Sequence, residues 1–238
     1  MKMEEKNENL TVGNSKGLKA WLIKEIMGPV MIGLVIFLCA GTIKWIHGWI
    51  FLGGIVLIKV LGDPWLLRTQ KELLIKRTSS KGKANKPWDM ILAPLVAFSS
   101  LGISVVAALD ERFGWSSFER PWVIWVGLGL LLIGSLFIFW AMASNSFFDG
   151  TVNIQEGHTV ATQGPYRFIR HPGYLGMFFM FLSIPLVLDS MVAYIPAVFF
   201  VLVLFLRTWL EDGTLTKELP GYAEYAREVK FRMFPNIW

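Results

Sequence analysis

Long apolar runs parted by short polar stretches dominate the chain. Met90 to Leu109 is twenty residues without a charge, and Pro121 to Phe148 is longer still. A helix needs roughly twenty such residues to cross a hydrocarbon core about 30 Å thick, so both runs predict spans. Ile26 to Ile43 and Trp45 to Leu61 add two more, the second with Lys59 near its end, where a long side chain can reach the interface. Pro172 to Leu188 and Ser190 to Leu206 are parted by Asp189 alone, which predicts a tight helical hairpin. The pattern predicts an all-α integral membrane protein with about six transmembrane helices, the last two forming that hairpin. Before residue 26, Leu18, Trp21, Leu22 and Ile26 share one face of an interfacial helix that follows a partly disordered arm.

Charge adds a direction to these spans. The segment before Ile26 holds five Lys, Gly62 to Asp89 seven Lys or Arg, Asp149 to His171 two, and the tail from Arg207 five. The segments that alternate with them hold only Lys44, Arg112 and Arg120. Positive residues collect on the cytoplasmic side of membrane proteins, so an even number of spans places both termini there. The formal charge of +5 therefore indicates anionic membrane lipids as the partner, not nucleic acid. Residues before 26 lack the charged, apolar and small-residue sequence of a removable signal. Cys39 stands alone inside an apolar run and the three histidines are far apart, which argues against a disulfide or a metal site.

Two polar segments differ in kind. Arg68 to Lys86 is rich in Lys, Ser and Gly and predicts a solvated basic connector with a short surface helix. Ser144 to His171 instead mixes Phe147, Phe148, Val152, Ile154, Val160 and Phe168 with polar residues, so it can fold against the helices. Long ordered loops of this kind tend to carry function. Within it, Gly164-Pro165 is a turn signal. His171-Pro172 predicts a helix start, because proline at the first helical position loses no hydrogen bond. Free backbone N–H groups and the positive end of a helix dipole would then lie beside Arg170, ready for an anion. Arg167 reads as a headgroup anchor, while Arg170, His171 and Tyr174 read together as a site.

A second constellation lies forty residues on, where Arg207 and Glu211 are one helical turn apart. Two readings stand: an exposed ion pair worth under about 1 kcal/mol, or a Glu211 that faces a cavity and binds a cationic or hydroxyl-bearing ligand while Arg207 meets an anionic one. Past Pro220-Gly221, Tyr222, Tyr225, Ala226 and Val229 line one face of a short helix that packs as a lid.

Taken in order, these motifs carry a resemblance. His158-Thr159-Val160-Ala161-Thr162-Gln163-Gly164-Pro165-Tyr166, Arg170-His171-Pro172-Gly173-Tyr174, Arg207 with Glu211-Asp212, and Gly221-Tyr222-Ala223-Glu224-Tyr225 resemble the ordered signature of the isoprenylcysteine carboxyl methyltransferase family and its phospholipid methyltransferase relatives. The resemblance covers roughly residues 144 to 238. It implies a membrane enzyme that uses S-adenosylmethionine to methylate a lipid-like acceptor, with a cytoplasmic cofactor pocket and no Rossmann-type fold. It implies that His158, Thr159, Val160, Ala161, Tyr166, His171, Pro172, Gly173 and Tyr174 enclose the cofactor, that Glu211 also touches it, and that Arg207 contacts the acceptor. Arg170, Arg207 and Glu211 are then the candidate catalytic residues. Gly173 stands where the prenylcysteine enzymes usually have Ser, and Asp212 where they usually have a second Glu. The chain thus divides into an arm (1–25), a four-helix membrane region (26–143) and a methyltransferase-like region (144–238). Two other readings remain: an NADPH-dependent membrane reductase of the sterol-reductase type, and a non-enzymatic membrane scaffold.

Overall fold

A computed structural model describes residues 2–79 and 86–238, with side chains for 16–76 and 86–238. All regular structure among the described residues is helical: α1 (Lys2–Ala40), α2 (Ile46–Thr69), α3 (Lys71–Ser79), α4 (Asp89–Phe113), α5 (Val123–Ala143), α6 (Pro172–Val187), α7 (Tyr194–Glu218) and α8 (Tyr222–Glu228), with a 3-10 turn over Gly164–Arg167. Five of these, α1 from Lys16, α2, α4, α5 and α7, are long and apolar enough to cross a membrane.

Several boundaries differ from the hydropathy reading. α6 has sixteen residues, about 24 Å at 1.5 Å per residue, ending one residue before the expected Leu188 and falling short of a core about 30 Å thick. α7 instead runs three turns past Leu206 to Glu218, which puts Arg207, Glu211 and Asp212 on one continuous helix. α2 continues through Gly62-Asp63-Pro64 to Thr69. The arm and interfacial helix expected as separate pieces are the first turns of α1. Trp21 is buried there with Leu66, Leu73, Leu74 and Met142, whereas Leu22 and Ile26 are exposed. The connector helix is accordingly not merely solvated, since Leu73 and Leu74 of α3 are in that cluster. Residues 80–85 of the connector lie outside the described residues.

α5 and α6 make the closest helix pair because glycines meet across it. A Cβ on Gly134 would lie 2.6 Å from the carbonyl oxygen of Gly176, and one on Gly176 would lie 2.6 Å from that of Gly134. Small residues let backbones approach this closely in membranes. The main core gathers Ile36 of α1, Ile103 and Ala107 of α4, Val187 of α6 and Leu204 of α7. At one end of the bundle, Asp110 accepts hydrogen bonds from the Ser116 N–H (2.7 Å) and the Ser190 hydroxyl. Asp189, in the left-handed region at φ 56°, accepts from the Phe118 N–H at 3.0 Å. These bonds tie the α4–α5 loop to the α6–α7 turn. The polar segments 144–171 and 219–238 gather at the other end.

Candidate active site

Segment 144–163 has little regular structure and is held by side chains. Gly164 adopts φ 57°, and a Cβ there would run into Ser144. This requirement for glycine brings Tyr166 under α8, where the Tyr225 hydroxyl donates to the Tyr166 carbonyl at 2.7 Å. Asn145 Nδ2 donates to the Tyr166 hydroxyl at 3.3 Å. α6 starts at Pro172 with His171 as the preceding cap residue.

The amides just before that start are not free, contrary to the sequence expectation. The Arg170 N–H donates to the Phe231 carbonyl at 2.9 Å and the His171 N–H to the Arg232 carbonyl at 2.8 Å. The tail after α8 therefore lies across the start of α6 like a strap. Arg170 is likewise committed: Nε and Nη2 reach Asp212 at 2.7 and 2.9 Å, and Nη1 reaches the carbonyls of Val229 (2.7 Å) and Lys230 (3.0 Å). Its predicted role as an anion receptor is corrected by this geometry, because its positive charge is matched inside the protein. Burial alone would lower the Arg170 pKa, but the bonds to Asp212 more than offset it and raise the value.

Asp212 is the hub of the site. Besides Arg170 it accepts from Arg232 Nε at 2.8 Å, the Tyr222 hydroxyl at 3.0 Å and His171 Nε2 at 3.2 Å. A carboxylate only accepts, so the proton of a neutral His171 resides on Nε2, and Nδ1 is left 4.0 Å from Glu211. Burial and the Asp212 charge push the Tyr222 hydroxyl well above its ordinary value, which keeps it a donor. Glu211, one residue earlier, turns to the other side and accepts a hydrogen bond from the Tyr174 hydroxyl.

Arg207 shows a third arrangement, different from both sequence readings of its pairing. It does not pair with Glu211; Nε donates to Asp89 Oδ1 at 2.8 Å and Nη2 to the Gly150 carbonyl at 2.7 Å. Its guanidinium also lies 5.5 Å from the centre of the Tyr174 ring. Asp89, at the start of α4 and fully buried, accepts as well from the Val152 N–H at 2.6 Å. Nothing in the sequence singles out Asp89 beyond its place at one end of an uncharged run that Asp110 borders at the other.

His158, Thr159, Val160, Ala161, Tyr166, Arg170, His171, Gly173, Tyr174, Arg207 and Glu211 all line one cavity of about 400 Å³. Pro172, expected among them, does not; it is buried and its part is to start α6. Phe148 fills the space a side chain at position 173 would need, since a Cβ there would lie 2.7 Å from its ring. Tyr222, Tyr225 and the Asp149–Asn153 stretch complete the wall. Two buried atoms of that wall, Thr151 Oγ1 and His158 Nδ1, have no hydrogen-bond partner among the described residues, which is costly unless a ligand supplies one. A second cavity of about 840 Å³, bounded mainly by α1, α2, α4 and α5, meets the first along Ala93, Ala97, Ile138, Met180 and the Asp149–Thr151 stretch. Asp89 lines the larger cavity and Arg207 the smaller, so their ion pair lies in the partition.

His158 stacks on Phe147 with ring centres 4.5 Å apart. Burial, and then the charge of Lys76, lower its pKa from the ordinary 6.5. The folded protein therefore prefers the neutral imidazole, and the folded state loses stability as pH falls below 6.5 and the unfolded chain takes up the proton first. The thermal midpoint should fall on acidification through this range, and His158→Gln should flatten that part of the profile.

Residues 125–217 match the isoprenylcysteine carboxyl methyltransferase (ICMT) family. The match takes in 93 of the chain's 238 residues. No curated protein matches it. The matched segment contains α6, most of α7 and the loop between α5 and α6, so it contains Glu211 and the Arg170–Asp212 pair. Asp89, Tyr222 and Arg232, each bonded to a side chain of the methyltransferase domain, lie outside the match. The domain and the long apolar helices together support a multi-pass membrane methyltransferase.

Proposed function

We propose that this protein transfers a methyl group from S-adenosylmethionine to a carboxylate or amine of an amphiphilic acceptor at the cytoplasmic face of a membrane. The observation that carries the cofactor assignment is the balance of charge in the smaller cavity. Arg170 and Arg207 are both matched by buried aspartates, and Asp149 and Glu211 are the acids left facing the space. Such a site favours a cationic ligand. A dinucleotide with several phosphates would find both arginines there already charge-matched by aspartates. The unpartnered Thr151 Oγ1 and His158 Nδ1 suit the polar edges of a nucleoside, and a cavity of about 400 Å³ falls in the range of small-molecule sites.

S-adenosylmethionine supplies a methyl group on a positively charged sulfur. Glu211, oriented by the Tyr174 hydroxyl, is placed to accept from an ammonium or from ribose hydroxyls. The Asp89–Arg207 pair divides donor space from the larger, mainly apolar chamber, which we assign to the acceptor's lipid part. Gly150 and Thr151 border both spaces, so the reacting groups meet beside them. Holding donor and acceptor in line, away from water, is the main catalytic task in such a transfer. An acceptor carboxylate is already ionised and needs only orientation, for which Arg207 Nη1 carries no competing hydrogen bond. An amine acceptor needs a base; His171 Nδ1 and Glu211 are the candidates.

Both termini and the site face the cytoplasm in this reading, with the α6–α7 hairpin completing the sixth crossing. S-adenosylhomocysteine should raise the thermal midpoint of the detergent-solubilised protein, and NADPH should leave it unchanged. Stabilisation by NADPH alone would overturn the assignment in favour of a reductase, and indifference to both in favour of a scaffold.

A further inference from the structure

A third cavity lies outside the site, at the edge where α4 begins and α7 ends. It is a groove of about 380 Å³ lined by Lys86 and Trp88 on one side, by Trp209, Gly213 and Lys217 of α7 on the other, and by Arg232 from the tail. We propose that this groove binds the phosphate-bearing headgroup of an anionic membrane lipid, and that the bound headgroup tightens the cofactor site through Arg232. The second half rests on the cofactor reading above; the first half does not.

Three observations carry the site. The groove holds three cations against one acid: Lys86 pairs with Glu218 at 2.5 Å, while Lys217 has no ionic partner among the described residues. Arg232 uses Nε on Asp212, and among the described residues its two terminal nitrogens have no hydrogen bond. Trp88 and the exposed Trp209 flank the cations, as indoles do at the level of lipid headgroups. The floor is open, because a side chain at Gly213 would meet nothing within 4 Å. Cations, paired indoles and an open floor at the end of two spans match a headgroup phosphate with its acyl chains running along α7.

The coupling follows from what Arg232 joins. Its side chain bridges the groove and Asp212, and its carbonyl accepts the His171 N–H. The three residues before it, Val229, Lys230 and Phe231, accept the remaining bonds of Arg170. A phosphate on the free edge of Arg232 fixes the strap against the start of α6 and so orders the wall of the cofactor cavity. By linkage, a lipid that tightens the cofactor is itself bound more tightly when the cofactor is present.

Native mass spectrometry of the full chain with phosphatidylglycerol or phosphatidylcholine should show preferential retention of phosphatidylglycerol. The double variant Lys86→Gln/Lys217→Gln should lose that preference. In vesicles, S-adenosylhomocysteine should bind the wild type at least about 5-fold more tightly with phosphatidylglycerol than with phosphatidylcholine. The double variant should bind it equally in both, at the affinity the wild type has in phosphatidylcholine. Equal retention of the two lipids overturns the groove, whatever the protein does with S-adenosylhomocysteine. Preferential retention without a change in S-adenosylhomocysteine affinity overturns the coupling. The same gain from inorganic phosphate in phosphatidylcholine vesicles overturns the lipid assignment in favour of a free anion. Absence of S-adenosylhomocysteine binding in every vesicle defeats the cofactor reading and the coupling together, and the retention measurement still decides the groove.

Discussion

Asp212→Ala should cost the protein about 3–5 kcal/mol, the usual penalty for removing one partner of a buried ion pair. The carboxylate is 4% exposed and accepts from Arg170, His171, Tyr222 and Arg232 at once. Its loss leaves the buried Arg170 guanidinium without a counter-charge and frees the Arg232 side chain from α7. The effect should concentrate at the C-terminal end, because both the α8 lid and the strap are attached through this residue. A large drop in thermal midpoint is expected, together with proteolytic cutting after residue 218 at temperatures where the wild-type chain is intact. Adding Arg170→Leu should recover part of the loss, since the unmatched charge is then removed as well. An Asp212→Ala protein that melts and resists protease like the wild type would show that the hub is not what holds the tail.

Glu211→Gln should behave in the opposite way, with little effect on folding and a large one on binding. The Glu211 side chain is 21% exposed and forms no close ion pair, so its amide replacement leaves no buried charge behind. It does remove the acid that accepts from Tyr174 in the donor cavity. A hydrogen bond to a charged partner is worth about 1.5–3 kcal/mol, so S-adenosylhomocysteine should bind on the order of tenfold to a hundredfold more weakly. Calorimetric titration in detergent would measure this against an unchanged melting profile. Wild-type affinity in the variant would mean that the ammonium and ribose lie elsewhere.

The helices were legible because a membrane demands length and apolarity, and Met90 to Leu109 can satisfy that demand in only one way. The same reasoning is coarser at α1. Leu18, Trp21, Leu22 and Ile26 share a face in the sequence, yet Trp21 is buried with Leu18 packed partly against its cluster while Leu22 and Ile26 are exposed, since lipid accepts apolar side chains. Within the site, spacing exposed the positions but not their partners. Arg207 and Glu211 looked paired because they are one turn apart, whereas Arg207 turns to Asp89, 118 residues away in the chain. Arg170 looked free for a similar reason, since Asp212 and the strap reach it only once α7 and the tail are in place. Periodicity reports which face a residue occupies; it carries no information about which helix lies opposite.

The Asp89–Arg207 bond also bears on where this enzyme can be cut or recombined. The segment that matches the family begins at residue 125, yet the counter-ion for its Arg207 is on α4. Excised alone, the matched segment would carry an unneutralised guanidinium in its interior, so the boundary of homology is not a boundary of autonomy. A chimaera with foreign N-terminal helices must bring a carboxylate to the first turn of its last upstream helix, or replace Arg207. The N-terminal half is thereby a co-author of the catalytic half's electrostatics, and the two halves are free to diverge only together.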